Sequence, residues 1–235
     1  LGGTLTLTSG GLLFDNSAGA ATIQSANPLY SLGAAGVETI VTVNGAAANA
    51  LTISAPIGSG TGSLVKAGSG VLVIAGANSF TGNTTINQGT VRLAGAAASL
   101  GSITTAANAT TIRQLGVLDI NAAGAGRQIT IGALSGAGVV TNSGGGSASA
   151  GTLALGYYGV STGAGVFSGV LSDGAGVLNL TKNGSGTQSL TGLNTYTGVT
   201  TVAQGTLAIT DLPAVSGPAA TTTVTTTIGS ATATV

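Results

Sequence analysis

One stretch of this chain occurs twice, and that duplication limits the fold more than any other feature. Residues 62–93, GSLVKAGSGVLVIAGANSFTGNTTINQGTVRL, return 116 positions later as residues 178–209, LNLTKNGSGTQSLTGLNTYTGVTTVAQGTLAI. Between Leu64 and Leu93 the two copies share 14 of 30 positions. Among the shared residues are Lys66/Lys182, the Gly-Ser-Gly at 68–70 and 184–186, Asn78/Asn194 and the Gln-Gly-Thr at 88–90 and 204–206. Phe80 becomes Tyr196, Ile86 becomes Val202 and Leu93 becomes Ile209, so the differences mostly keep their character. Turn residues and alternate apolar residues are what persists, and a unit that repeats its turns and its inward face reads as one step of a repeat architecture.

Short alternating runs bounded by Gly and Asn support strands throughout: ETIVTV at 38–43, VLVIA at 71–75, RQITI at 127–131, TLALG at 152–156 and TLAIT at 206–210. No stretch carries an apolar stripe at helical spacing, and the 42 glycines would interrupt one. Leu13, Leu32, Ile53, Ile74, Leu93, Ile112, Ile131, Leu153, Leu171, Leu190, Ile209 and Ile228 recur at 18 to 22 residues. They predict about 12 rungs of roughly 19–20 residues with these side chains in one inward ladder, a rod on the order of 50 Å long. Asn78 and Asn194 read as left-handed corner residues. Gln188, at an inward position, needs a hydrogen-bond partner or a bulge. Segments 94–109 and 141–151 read as loops protruding from the rod.

The repeated stretch resembles the autotransporter-associated β-strand repeat of passenger domains in Gram-negative autotransporters. That pattern runs roughly K-x-G-x-G-x-L-x-L-x-G-x-N-x-Y-x-G-x-T-x-[VI]-x-x-G-T-L. Phe80 departs from it where Tyr196 matches, and Gln188 stands where a Leu is usual. The resemblance implies an all-β, right-handed parallel β-helix outside the cell, at a bacterial surface or secreted, and it carries no catalytic residues to transfer. The organisation expected is a β-helix over 1–210, with the repeat at 64–93 and 180–209. A Thr-rich extended tail over 211–235 follows, offered as a strand between subunits.

Composition narrows the chemistry. Five cationic and five acidic residues in 235 leave no electrostatic footprint for nucleic acid or an anionic membrane. No run of about 20 apolar residues is present, so no transmembrane helix is expected. The absence of Cys suits a chain exported unfolded, and a start at Leu reads as a processed or excised piece. Without His or Cys no His-based triad, thiolate nucleophile or thiolate or imidazole metal site is available, and no cofactor or metal is expected. Glycoside hydrolysis would need two neighbouring carboxylates, for which only Asp15 and Glu38 lie at a spacing that puts them on adjacent rungs. Arg92, Arg113 and Asp119 read as a surface charge ladder, and Lys66 and Lys182 as lysines snorkelling to solvent at one shared corner.

The leading expectation is therefore a non-enzymatic structural or adhesive solenoid. The alternative is a filament subunit stacked head to tail, and a carbohydrate-active enzyme comes third. Partners are a second copy, or a host or surface glycan or protein. The candidate contacts are the adjacent Tyr157 and Tyr158, one of which faces out, and Thr223, Val224 and Ile228 in the tail.

Overall fold

The computed structural model describes residues 11–15, 19–24, 38–57, 61–96, 98–102, 108–122, 126–145, 150–157 and 163–210, with the tail strands 224–226 and 231–234. Within them the chain is all β, and every strand pairing is parallel. The strands form three ladders. The first runs from Gly11–Asp15 through Thr39–Asn44, Leu64–Ala67, the starts of Thr84–Leu93 and Thr110–Asp119, then Leu134–Gly136, Gly165–Phe167, Thr187–Leu190, Gly205–Ile209 and Ala231–Thr234. The second joins Ala21–Ile23, Leu51–Ile53, Val71–Ile74, the ends of the same two long strands, Val139–Thr141 and Val170–Leu171. The third stacks Arg127–Ile131, Gly151–Leu155, Leu178–Lys182, Thr200–Val202 and Val224–Thr226. Parallel strands that each lie over a strand from the next turn of the same chain make a parallel β-helix, with every backbone pairing made between turns.

Alternation puts apolar side chains inside. On the first face Val41, Lys66, Ile86, Ile112, Gly136, Phe167, Leu190 and Ile209 lie over one another in register. On the second, Ile53, Ile74 and Leu93 do likewise, and on the third Ile129, Leu153 and Leu180. Nearly all of these are fully buried and form one continuous core. The rod is a stack of aliphatic ladders wrapped in hydrogen-bonded backbone.

The expected single ladder and uniform rung are not what forms. Successive residues in the first-face column are 20 apart from Lys66 to Ile86, 26 from Ile86 to Ile112, 31 from Gly136 to Phe167 and 19 from Leu190 to Ile209. Ile131 sits over Leu155 on the third face and Leu171 over Val140 on the second, while Leu13 points out and is 68% exposed. Leu32 and Ile228 fall outside the described residues. Strands run from 2 to 10 residues and the corners between them differ as well, so a constant spacing drifts from face to face. Within the segment expected to protrude at 94–109, Ala98 and Leu100 instead turn inward and join the core.

The same drift rotates the repeat. Its first copy starts on the first face at Leu64–Ala67, crosses the second at Val71–Ile74 and returns to the first at 84–86. The second copy starts on the third face at Leu178–Lys182, crosses the first at Thr187–Leu190 and returns to the third at Thr200–Val202. Each copy therefore pairs its own beginning with its own end, one face out of step with the other. A local pattern that closes one turn works on any face, because the three faces offer the same flat backbone edge.

Candidate functional site

The two repeat lysines occupy equivalent places, but inside the rod. Both are fully buried, which corrects the expectation that they reach solvent. Lys66 stacks between Val41 and Ile86, and Lys182 between Leu155 and Val202. Lys66 Nζ donates to the carbonyls of Ala67 at 2.6 Å, Gly68 at 2.6 Å and Gln88 at 3.2 Å. Lys182 Nζ donates to the Gly184 carbonyl. The Gly-Ser-Gly turn and the Gln-Gly of the following turn close over the ammonium and take the place of water. A Cβ at Gly89, whose φ is +71°, would lie 2.4 Å from the Gly70 carbonyl oxygen, so only glycine lets the two turns meet there. Burial still pushes both lysines down to about 8.

Asn78 and Asn194 are also corrected. The non-glycine residues with positive φ are Asn108 and Asn121 among the described ones. Asn78 instead spans three turns through its amide, accepting from Ile57 N at 2.7 Å and donating to the Ser99 carbonyl at 2.6 Å. Asn194 accepts from Leu171 N at 3.0 Å. Gln188 points inward with both ends of its amide engaged: Nε2 donates to the Leu134 carbonyl at 2.9 Å and Oε1 accepts from Leu134 N at 3.2 Å. The turn between them presents Gly165, where a Cβ would sit 2.3 Å from the Leu134 carbonyl oxygen.

The ionisable groups weighed for chemistry are mostly taken up by the backbone. Asp119 is 2% exposed and accepts from Arg92 Nε at 2.8 Å, Ser143 Oγ at 2.5 Å, Ser143 N at 2.9 Å and Asn121 N at 3.0 Å. Its carboxylate is saturated and sealed. Arg92 lies over Asp119, but Arg113 is on another part of the rod, next to Asn87, so the charge ladder does not form. Arg127 donates to the carbonyls of Leu93 and Asn121 at 2.9 and 3.1 Å. Asp173 holds the corner at Thr197 through N at 2.9 Å and Oγ1 at 2.6 Å.

Asp15 and Glu38 do fall on neighbouring turns, but at opposite ends of the strand pair. Asp15 lies opposite Asn44, whereas Glu38 precedes Thr39. At about 3.3 Å per residue they are roughly 20 Å apart along the strand, twice what glycoside hydrolysis allows. Among the described residues no group of three or more His, Cys, Asp or Glu side chains could hold a metal ion. No helix there is long and apolar enough to cross a membrane.

Of the candidate contacts, Tyr157 turns inward. It is buried, its hydroxyl donates to the Thr130 carbonyl at 3.2 Å, and burial pushes it up to about 12. Tyr158, Thr223 and Ile228 lie outside the described residues, and Val224 is placed in a strand over Thr200. The described tail strands pair with the preceding turn of their own chain. The exposed run at residues 113–115 is not legible in the sequence, because a bulge between the consecutive strands Thr84–Leu93 and Thr110–Asp119 creates it.

Comparison with known proteins agrees with this geometry. The family model for the passenger-associated-transport-repeat matches residues 64–93 and 180–209, the same bounds within which each copy closes on itself. The adhesin BmaC autotransporter of Brucella suis biovar 1 (strain 1330) is 36% identical over 168 residues. That alignment covers 68% of this chain, and the chain spans 4% of that protein's length. No solved structure matches the chain.

Proposed function

The chain carries two passenger-associated-transport-repeats in one parallel β-helix, and from this we propose that it is an adhesive, non-enzymatic segment of a bacterial autotransporter passenger. Its place is the cell surface or the secreted medium, and its partners are molecules on a host or neighbouring surface. The observation that carries the reading is how the polar groups are used. Lys66, Asp119, Arg127 and Gln188 hold one turn to another inside the rod and Lys182 is buried against its own turn, so these polar groups serve rigidity and form no assembled reactive group among the described residues. A long rigid rod with a mostly uncharged exterior suits presentation of contacts at a distance from a membrane. The similarity to a protein named as an adhesin supports the same reading.

The test is adhesion of beads coated with the purified chain to cultured mammalian cells and to matrix-coated surfaces. Specific retention above albumin-coated beads is expected, unchanged in Asp15→Asn/Glu38→Gln. Retention no better than albumin would overturn the adhesive reading. Cleavage of a polysaccharide that disappears in that double variant would overturn the non-enzymatic one.

A further inference from the structure

Five cations are present in the whole chain, and four of them have internal work. Lys66 and Lys182 are buried among turn carbonyls, Arg92 is paired with Asp119, and Arg127 donates to backbone carbonyls. Arg113 is different. It is exposed, its Nε donates to Asn87 Oδ1 at 2.9 Å, and among the described residues the one ion pair is Arg92 with Asp119. Asn87 thus holds the guanidinium through Nε, and no hydrogen bond to the two terminal nitrogens of this exposed residue is made among the described residues. A guanidinium held in this way is prepared for a carboxylate, which it meets through two parallel hydrogen bonds.

The backbone puts Arg113 on a projection. Where the strand Thr84–Leu93 takes two steps from Ile86 to Gln88, the strand Thr110–Asp119 takes three, from Ile112 to Leu115. The extra residue is a β-bulge, and bulges re-aim side chains. Arg113, Gln114 and Leu115 are exposed in succession, and Leu115 is 68% exposed inside a strand whose other aliphatic residues are covered. The following turn cannot shield them, because its corner is Gly136-Ala137-Gly138. A Cβ at Gly138 would meet the Arg113 carbonyl oxygen at 2.5 Å. Glycine there lets the two turns close up while leaving nothing larger than the methyl of Ala137 beside the knuckle.

We propose that the knuckle Arg113-Gln114-Leu115 is a docking point for a protein partner, taking an extended peptide that carries a carboxylate next to an apolar side chain. Arg113 holds the carboxylate and Leu115 covers the apolar neighbour, while Gln88 and Gln114 flank them with amide donors and acceptors. A peptide fits better than an acidic glycan because the knuckle offers an aliphatic surface and no aromatic ring for a sugar to stack on. This inference rests on the adhesive reading and names the chemistry of its partner.

The experiment titrates the 15N-labelled full chain with acetyl-Val-Asp-Leu-Thr-amide, with its Asn counterpart and with tetragalacturonate, and follows amide shifts. Saturable shifts at Gln88, Arg113 and Leu115 with the Asp peptide are expected, weakened about ten-fold or more by Arg113→Gln and by Leu115→Ser. Both positions are exposed, and unchanged circular dichroism verifies that the variants fold. Equal binding of the Asn peptide, response to the uronate alone, or no shift at millimolar peptide would each overturn the proposal. The bead assay separates the two readings: retention that both variants preserve overturns the knuckle and leaves adhesion standing. Peptide binding without bead retention does the reverse.

Discussion

Replacing Gln188 by the Leu that the repeat pattern favours is predicted to weaken this rod. The equivalent position in the first copy is Leu72, which stacks between Leu51 and Val91 and is fully buried. Gln188 instead faces Gly165, and the strand beyond, Leu134–Gly136, pairs with Gly165–Phe167 at Gly136 and Phe167. Its amide reaches past the glycine to both backbone groups of Leu134 and acts as a missing piece of ladder. Leu would add apolar burial worth about 1.5–3 kcal/mol. Against that, a buried N–H and C=O would each lose their partner at about 1–3 kcal/mol, and Leu is too short to fill the space over Gly165. Such a void adds a further penalty of about 1 kcal/mol or more. The net expectation for Gln188→Leu is a loss of about 1–3 kcal/mol. Solenoids need not unfold in one step, so the decisive readout is local: hydrogen exchange at the Leu134 amide, alongside urea melts followed by circular dichroism. A variant as stable as the parent, with Leu134 equally protected, would refute the bridge.

Two further predictions come from comparing the copies and from their lysines. Tyr196 OH bonds Thr200 Oγ1 at 2.7 Å, whereas Phe80 leaves the equivalent Thr84 Oγ1 buried without a partner. Thr200→Val should therefore cost about 1–2 kcal/mol and Thr84→Val almost nothing; equal losses in urea melts would show that the hydroxyl pair contributes nothing. For the lysines, folded values near 8 against 10.5 unfolded mean that the folded state releases its protons first, so stability should rise with pH between about 8 and 10. Above about 10 the buried tyrosines oppose this, since Tyr157 is held up near 12 and the unfolded chain ionises first. Melting midpoints should thus pass through a maximum near pH 10. Lys66→Met/Lys182→Met should flatten the rising limb, and an unchanged slope in that variant would contradict the assignment.

The parallel winding is what the resemblance to the passenger repeat implies, whereas the repeat architecture, the correspondence of the two copies and the need of Gln188 for a partner are legible in the residues. Each of these legible features follows from local rules: alternate residues face in, Gly-rich turns stop strands, and a buried amide must be bonded. Which face each strand lies on is settled by the folded chain as a whole, because it depends on the summed length of every preceding strand and corner. Twenty residues carry Lys66 over to Ile86, but 31 separate Gly136 from Phe167, and no local pattern records the difference. The same dependence hides the fate of the polar groups. Lys66 looks like a surface lysine until Gln88 arrives from the next turn to accept from it, and Asn78 looks like a corner until Ile57 and Ser99 come within reach of its amide. Arg113 is distinguished from Arg92 and Arg127 only by what distant turns bring beside it: a carboxylate for one, carbonyls for another, and for Arg113 a bulge and two glycines that leave it facing water.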